Sequence, residues 1–349
     1  MSTTLDDLKA IHARDAQDAL GITEKQWQQY KHDFNFHWEP PNRVHKIVVA
    51  GMGGSGLAAK MVKSWPAPPV HYDVVQNYDL PEYADQFTLL ICSSYSGNTE
   101  ETLSVLEQAM SRPEDIRPMV VVVASGGKLL AAAQAQNLPF VQLPGGFPQR
   151  MTLGYQMRAL LEILEQTGVL AGMMGQLDDA ADWLHEHMDD WLPVVPAAKN
   201  PAKQLALELM GKSPVMYAGP RLFPVAYKWK INFNENAKNV AWCGELPEFS
   251  HNEFLGWTSH PTEKPYAVID LRSNFEHERV QKRFEITERL LSGKRPAAHV
   301  VQAQGDNLIK QLLWTTTFGD FVSLYLALLN GLNPSPVDLI EKFKAAMAE

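Results

Sequence analysis

Ser94, Tyr95, Ser96 and Thr99 put four hydroxyls into the six residues Ser94-Tyr95-Ser96-Gly97-Asn98-Thr99. They stand between an apolar run, 87–91, and residues 102–110, whose apolar spacing predicts an amphipathic helix. A strand-to-helix turn offers unpaired backbone N–H groups and the positive end of a helix dipole. Hydroxyls crowded at that point add donors, and the combination suits an anion, phosphate first among them. Ordinary capping by Asn98 or Thr99 accounts for one polar residue there, not for four hydroxyls. A second turn, Gly51-Met52-Gly53-Gly54-Ser55-Gly56, follows the apolar run 46–50 and opens another helical stretch. Its G-x-G-x-x-G pattern alone would suggest a dinucleotide site. Such a site wants an acid closing the second strand, where this chain has Gln76-Asn77, with Asp73 inside the strand. Gly54 and Ser55 instead offer N–H and hydroxyl groups to the kind of ligand that suits 94–99.

These residues need elements to hold them. Strands are predicted at 46–50, 71–75, 87–91, 118–123 and 139–143, alternating with helices. Unbroken apolar strands in that alternation indicate a parallel sheet covered on both faces. Both turns then fall on one carboxyl edge, where open α/β sheets take their ligands. The fold class is α/β, with two doubly wound α/β/α sandwich domains. A helical arm is expected over 1–42, a first domain over 43–168, a connecting helix and linker over 169–200, and a second domain over 201–349. The second half repeats the scheme faintly. A helix at 202–210 leads to strand 214–217, a Gly turn and a helix from about 225. Strands at 267–271 and 298–302 and two long helices, 307–331 and 337–348, follow.

A formal net charge of −9, with no Lys/Arg block, argues against nucleic acid and anionic membrane as partners. Cys92 and Cys243 cannot make a disulfide framework, and none of the eleven histidines shows a tight ligand spacing. No metal and no cofactor are expected. No apolar run approaches the ~18–20 residues of a membrane span, and the first residues lack signal-peptide features. A soluble cytoplasmic protein is the expectation.

The Gly51-to-Gly56 turn together with Ser94-Tyr95-Ser96-Gly97-Asn98-Thr99-Glu100-Glu101-Thr102 resembles the sugar isomerase (SIS) domain. Phe233-Asn234-Glu235-Asn236-Ala237-Lys238, Ser250-His251-Asn252-Glu253-Phe254 and Gly256-Trp257 resemble the bifunctional phosphoglucose/phosphomannose isomerases. The closing segments 320–328 and 333–337 resemble that family's C-terminal end. The resemblance implies two SIS-type domains and an aldose–ketose isomerase. Its substrates would be glucose 6-phosphate, mannose 6-phosphate and fructose 6-phosphate.

That reaction moves a proton between C1 and C2 through a cis-enediol, which one carboxylate over both carbons can do. The resemblance gives this role to Glu235, set among Phe233 and side-chain amides. It gives ring opening to His251 and a C-terminal lysine. The family's apolar-then-Lys pattern, matched by Phe343-Lys344, points to Lys344, with Lys342, on another helix face, as the alternative. Arg150 matches an arginine beside the enediolate, where a fixed guanidinium stabilises charge developed in the transition state. The family's Pro-Pro-Arg followed by small residues reads Pro148-Gln149-Arg150-Met151 here. Gly54, Ser55, Ser94, Ser96 and Thr99 would hold the phosphate. A homodimer is implied, with His251 supplied across the interface. The alternative is a non-catalytic sugar-phosphate sensor, against which the presence of Glu235, His251 and Arg150 argues.

Overall fold

The computed structural model describes residues 4–259 and 265–347. By contact the chain divides into two units, Gln26–Trp183 and a second made of Met1–Lys25 with Leu184–Glu349. Residues 1–25 thus group with the second half of the chain rather than with 26–42, and the reason is specific. Leu5 and Ile11 are buried, Arg14 Nη1 donates to Leu328 O at 3.0 Å, and Ala197 N donates to Asp6 Oδ1 at 2.7 Å. The buried Lys203 ammonium adds a 2.7 Å bond to Leu5 O.

In the Gln26–Trp183 unit, five parallel strands form one sheet. They are β1 (Lys46–Ala50), β2 (His71–Val75), β3 (Thr88–Ser93), β4 (Met119–Ala124) and β5 (Phe140–Gln142), in the order β2-β1-β3-β4-β5. β3 and β4 are buried at every position, as strands covered on both faces must be. Alternate residues share a face, so Val48, Ala50, Leu90, Cys92, Val120 and Val122 meet Val105, Leu106 and Leu129 in one core. Each such Val, Leu or Ile contributes about 1.5–3 kcal/mol by leaving water. The Gly53–Ser64 helix packs on β1, β2 and the Leu153–Gln166 helix.

The other unit carries a four-stranded parallel sheet. Its strands are β6 (Ser213–Ala218), β7 (Trp242–Glu245), β8 (Tyr266–Arg272) and β9 (His299–Gln302), ordered β7-β6-β8-β9. In both sheets the first strand lies between the second and the third, which fixes the switch point between strands one and three. The core of this unit is the Leu308–Leu329 helix, packed on the Pro201–Leu209 and Phe223–Glu235 helices. The expectation that no run approaches a membrane span needs correcting here. This helix is long and apolar enough by length and composition, with mean hydropathy 1.4, but 89 % of the window is buried inside the protein. Its interspersed Gln311, Thr315, Asp320 and Ser323 hide the run in the sequence, and they too are buried.

Candidate functional site

β1 and β3 are bonded neighbours with Ala50 opposite Cys92, so the turns that follow them lie side by side at the carboxyl edge. Gly51 permits the contact: a Cβ there would stand 2.8 Å from Ser93 O. Ser55, fully buried in the first turn of its helix, accepts from Tyr95 N at 3.3 Å and so joins the two turns. Ser94 Oγ lies 2.7 Å from Thr99 Oγ1 and accepts the Gly97 N–H at 3.1 Å. Ser96 is exposed, and its Oγ accepts from Asn98 N at 3.3 Å. Thr99 is the N-cap of the Glu100–Met110 helix yet gives no side-chain capping bond; Met52 gives none to the Gly53–Ser64 helix. Two helix starts that their own N-cap side chains leave uncapped therefore converge on one edge, the arrangement that favours an anion. Burial pushes the neighbouring Cys92 thiol up to about 12, which removes it as a nucleophile.

The third turn, after β4, is keyed into the second. Gly97 has φ +68°, and a Cβ on it would fall 1.8 Å from Gly126 O. Leu129 N donates to Gly97 O at 2.8 Å and Lys128 N to Asn98 Oδ1 at 3.1 Å. Tyr95 departs from its sequence role as a fourth hydroxyl of the turn. Its ring is buried, and its OH donates to Pro144 O at 3.0 Å while accepting from Phe147 N at 3.1 Å. Tyr95 thereby holds the segment leading to the short 3-10 turn Gln149–Met151, in which Arg150 is buried. That turn rests on the glycine turn, since a Cβ on Gly54 would meet Gln149 O at 3.3 Å. Gln29 Nε2 fixes its far side through Met151 O at 2.8 Å. Gly54, Ser55, Ser94, Thr99 and the Arg150 turn are thus linked within one unit.

Glu235, His251 and Lys344 come from three separate elements of the other unit. Glu235 is the half-buried last residue of the Phe223–Glu235 helix. Lys238, in the left-handed region at φ 52°, donates to Glu235 O at 2.8 Å and to Pro334 O at 3.1 Å. It ties the end of that helix to the segment preceding the Asp338–Met347 helix, a function its place in the sequence did not reveal. His251 is exposed at the end of the Glu248–His251 turn. Its motif neighbours are scaffolding. Asn252 Nδ2 donates to Glu248 Oε1 at 2.7 Å, and Glu253 Oε2 accepts from Tyr217 OH at 3.0 Å. Lys344 is exposed on the last helix and paired with Glu341 at 2.8 Å; Lys342 is exposed as well.

The switch point of this second sheet is occupied by a side chain of the protein itself. The Glu276 carboxylate, contributed by the turn after β8, accepts from Arg221 N at 2.8 Å and Leu222 N at 3.3 Å where the Phe223–Glu235 helix begins. Gly219 leaves room for it, since a Cβ there would lie 2.5 Å from the carboxyl carbon. Burial pushes the Glu276 pKa up, opposed by the two N–H bonds and the charge of Arg221. The only sequence signal was an acid in the turn after a strand, which is too common to single out.

Parallel sheets in two units and an anion-suited edge in the first define the class, an SIS-type α/β protein. A family model for the bacterial phospho-glucose isomerase C-terminal SIS domain matches residues 198–347. A solved glucose-6-phosphate isomerase like protein from Thermus thermophilus superposes with a TM-score of 0.61 at 21 % identity, covering 96 % of this chain and 99 % of that one. The bifunctional phosphoglucose/phosphomannose isomerase of Aquifex aeolicus is 33 % identical over 85 % of this chain and 89 % of its own length. The enzyme of the same name from Caldicellulosiruptor bescii is 31 % identical over 88 % and 90 %. The chain belongs to the bifunctional phosphoglucose/phosphomannose isomerase family.

Proposed function

We propose that the protein interconverts glucose 6-phosphate, and mannose 6-phosphate, with fructose 6-phosphate through a cis-enediolate. The observation that carries this reading is family membership joined to a turn, 94–99, whose hydroxyls and helix start suit a phosphate. Gly54, Ser55, Ser94, Ser96 and Thr99 hold the phosphate or its neighbouring oxygens. Glu235 takes the proton from one carbon and returns it to the other. Arg150 stabilises the negative oxygen that develops between those two transfers. His251 and Lys344 open the ring, one acting on the ring oxygen and one on the anomeric hydroxyl. No step calls on a cofactor or metal.

The same reading includes a cytoplasmic homodimer in which His251 serves the partner's site. Leu339 and Phe343, four apart on the Lys344 helix, are 81 % and 67 % exposed, and Leu255 near His251 is 76 % exposed. A second copy covering these side chains would remove that apolar area from water.

The test is conversion of each hexose 6-phosphate to fructose 6-phosphate by the purified protein, with Glu235→Gln alongside. Glu235→Gln is expected to lower kcat by about 10²–10⁴-fold. Binding without turnover by the unaltered protein would favour the sensor reading, and normal turnover by Glu235→Gln would remove Glu235 from the chemistry.

A further inference from the structure

Under Glu235 lies a run of buried polar side chains that the proposed mechanism leaves unused. Lys228, Asn232 and Asn236 follow one another at intervals of four, hence along one face of the Phe223–Glu235 helix and its C-cap. All three are buried, as are Asp320 and Ser323 on the facing Leu308–Leu329 helix. Lys228 Nζ donates to Asp320 Oδ1 and to Asn232 Oδ1, both at 2.8 Å, and Asn232 Nδ2 donates to the same Asp320 oxygen. Asn236 Nδ2 donates to Ser323 Oγ at 2.9 Å, and Ser323 Oγ donates to Asp320 O at 2.8 Å. Glu235 sits in the chain between Asn232 and Asn236, so the residue three before it and the residue after it are anchored to one four-residue stretch, 320–323, of the core helix.

A buried ion pair adds little net stability over well-packed apolar side chains of similar volume. What it does supply is direction, because hydrogen bonds fix the rotation and register of two helices where apolar packing tolerates slippage. We infer that Asp320, with Ser323, is a positioning residue for Glu235, setting the rotation of the last turn of the helix that carries it. The inference rests on the reading of Glu235 as the proton-transfer group. It gives a reason for the burial of Asp320 and Ser323 in this helix.

The experiment compares Asp320→Asn, Ser323→Ala and the triple variant Lys228→Met/Asn232→Leu/Asp320→Leu in the full chain, with Glu235→Gln beside them. Steady-state kinetics on fructose 6-phosphate, melting temperature and amide hydrogen exchange over 232–238 are read for each. Asp320→Asn is expected to lower kcat about 100-fold, the usual cost of a misplacement near 1 Å, with KM little changed. Exchange at the last turn should quicken by about tenfold or more, as local opening becomes easier. The triple variant, which leaves no member of the Lys228–Asn232–Asp320 group behind, should regain melting temperature without regaining kcat or protection. Ser323→Ala, which loses only the Asn236 anchor, gives the same pattern more weakly and carries the test if the other variants do not fold. Recovery of both stability and kcat in the triple variant would make the buried polar run merely structural and overturn the inference. So would unchanged kcat and exchange in Asp320→Asn or Ser323→Ala. Normal turnover by Glu235→Gln would instead refute the Glu235 reading, while exchange still reports whether the buried polar run holds the turn.

Discussion

Gly97→Ala separates two contributions to the shape of the 94–99 turn. The first is backbone: at φ +68° an L-residue costs about 1–2 kcal/mol. The second is contact. The new Cβ would fall 1.8 Å from Gly126 O, so the turns after β3 and β4 must part by more than an ångström, and such overpacking costs about 1–3 kcal/mol. Together these come to about 2–5 kcal/mol, or a fall in melting temperature of about 4–20 °C for the unit. Gly168→Ala is the control, since Gly168 has φ +69° and nothing within 4 Å of the added carbon. It should lose only the backbone part, about 2–8 °C. Displacing the turn also pulls the Gly97 N–H from Ser94 Oγ and breaks the alignment of Ser94 with Thr99. With one charge-assisted bond to phosphate worth about 1.5–3 kcal/mol, affinity for glucose 6-phosphate should drop at least about tenfold in Gly97→Ala and hold in the control. Calorimetry and ligand titration on both variants decide it. If Gly97→Ala melts no lower than Gly168→Ala and binds as the parent does, the keyed-turn account is wrong.

Two further outcomes follow from the other unit. The folded-state pKa of Glu276 is raised above its ordinary 4.5, so the folded protein keeps a proton that the unfolded chain gives up. Stability therefore falls as pH rises from about 4.5 through the raised value, and Glu276→Gln should gain on the parent across that interval in urea unfolding. A difference that stays constant with pH counts against it. On the last helix, Lys344→Ala should lower kcat by about 10²-fold while Lys342→Ala stays near the parent. Equal losses in the two would reject the choice of Lys344.

The first sheet was legible because its strands are unbroken apolar runs; β1 and β2 fall at 46–50 and 71–75 as expected. β3 continues to Ser93, two residues past the expected end, since Cys92 and Ser93 look like part of the polar turn until their full burial is seen. β7 was not expected. Trp242-Cys243-Gly244-Glu245 has no apolar alternation, and as an edge strand with Trp242 47 % exposed it needs little. The strand-to-helix turn at 94–99 could be read from the sequence, but the turning of Tyr95 away from its fellow hydroxyls could not, because its partners Pro144 and Phe147 lie about fifty residues on. Long separation also hid the Glu276 carboxylate on Arg221 and Leu222, and the pairing of Lys228 with Asp320. Local pattern reports which residues form an element. It is silent on which distant side chain completes it.

The chain order of the two units bears on how the protein is made. Gln26–Trp183 is one continuous stretch, whereas its companion is assembled from both sides of it. A ribosome adding about 5–20 residues per second releases the continuous unit first. Arg14 must then wait for Leu328, 314 positions away, before its bond can close. That interval, on the order of 7–30 s after the first unit is complete, leaves Leu5 and Ile11 without their burial sites on a nascent chain. Synthesis halted in that window would leave a product with a finished 94–99 turn and a missing or incomplete core helix.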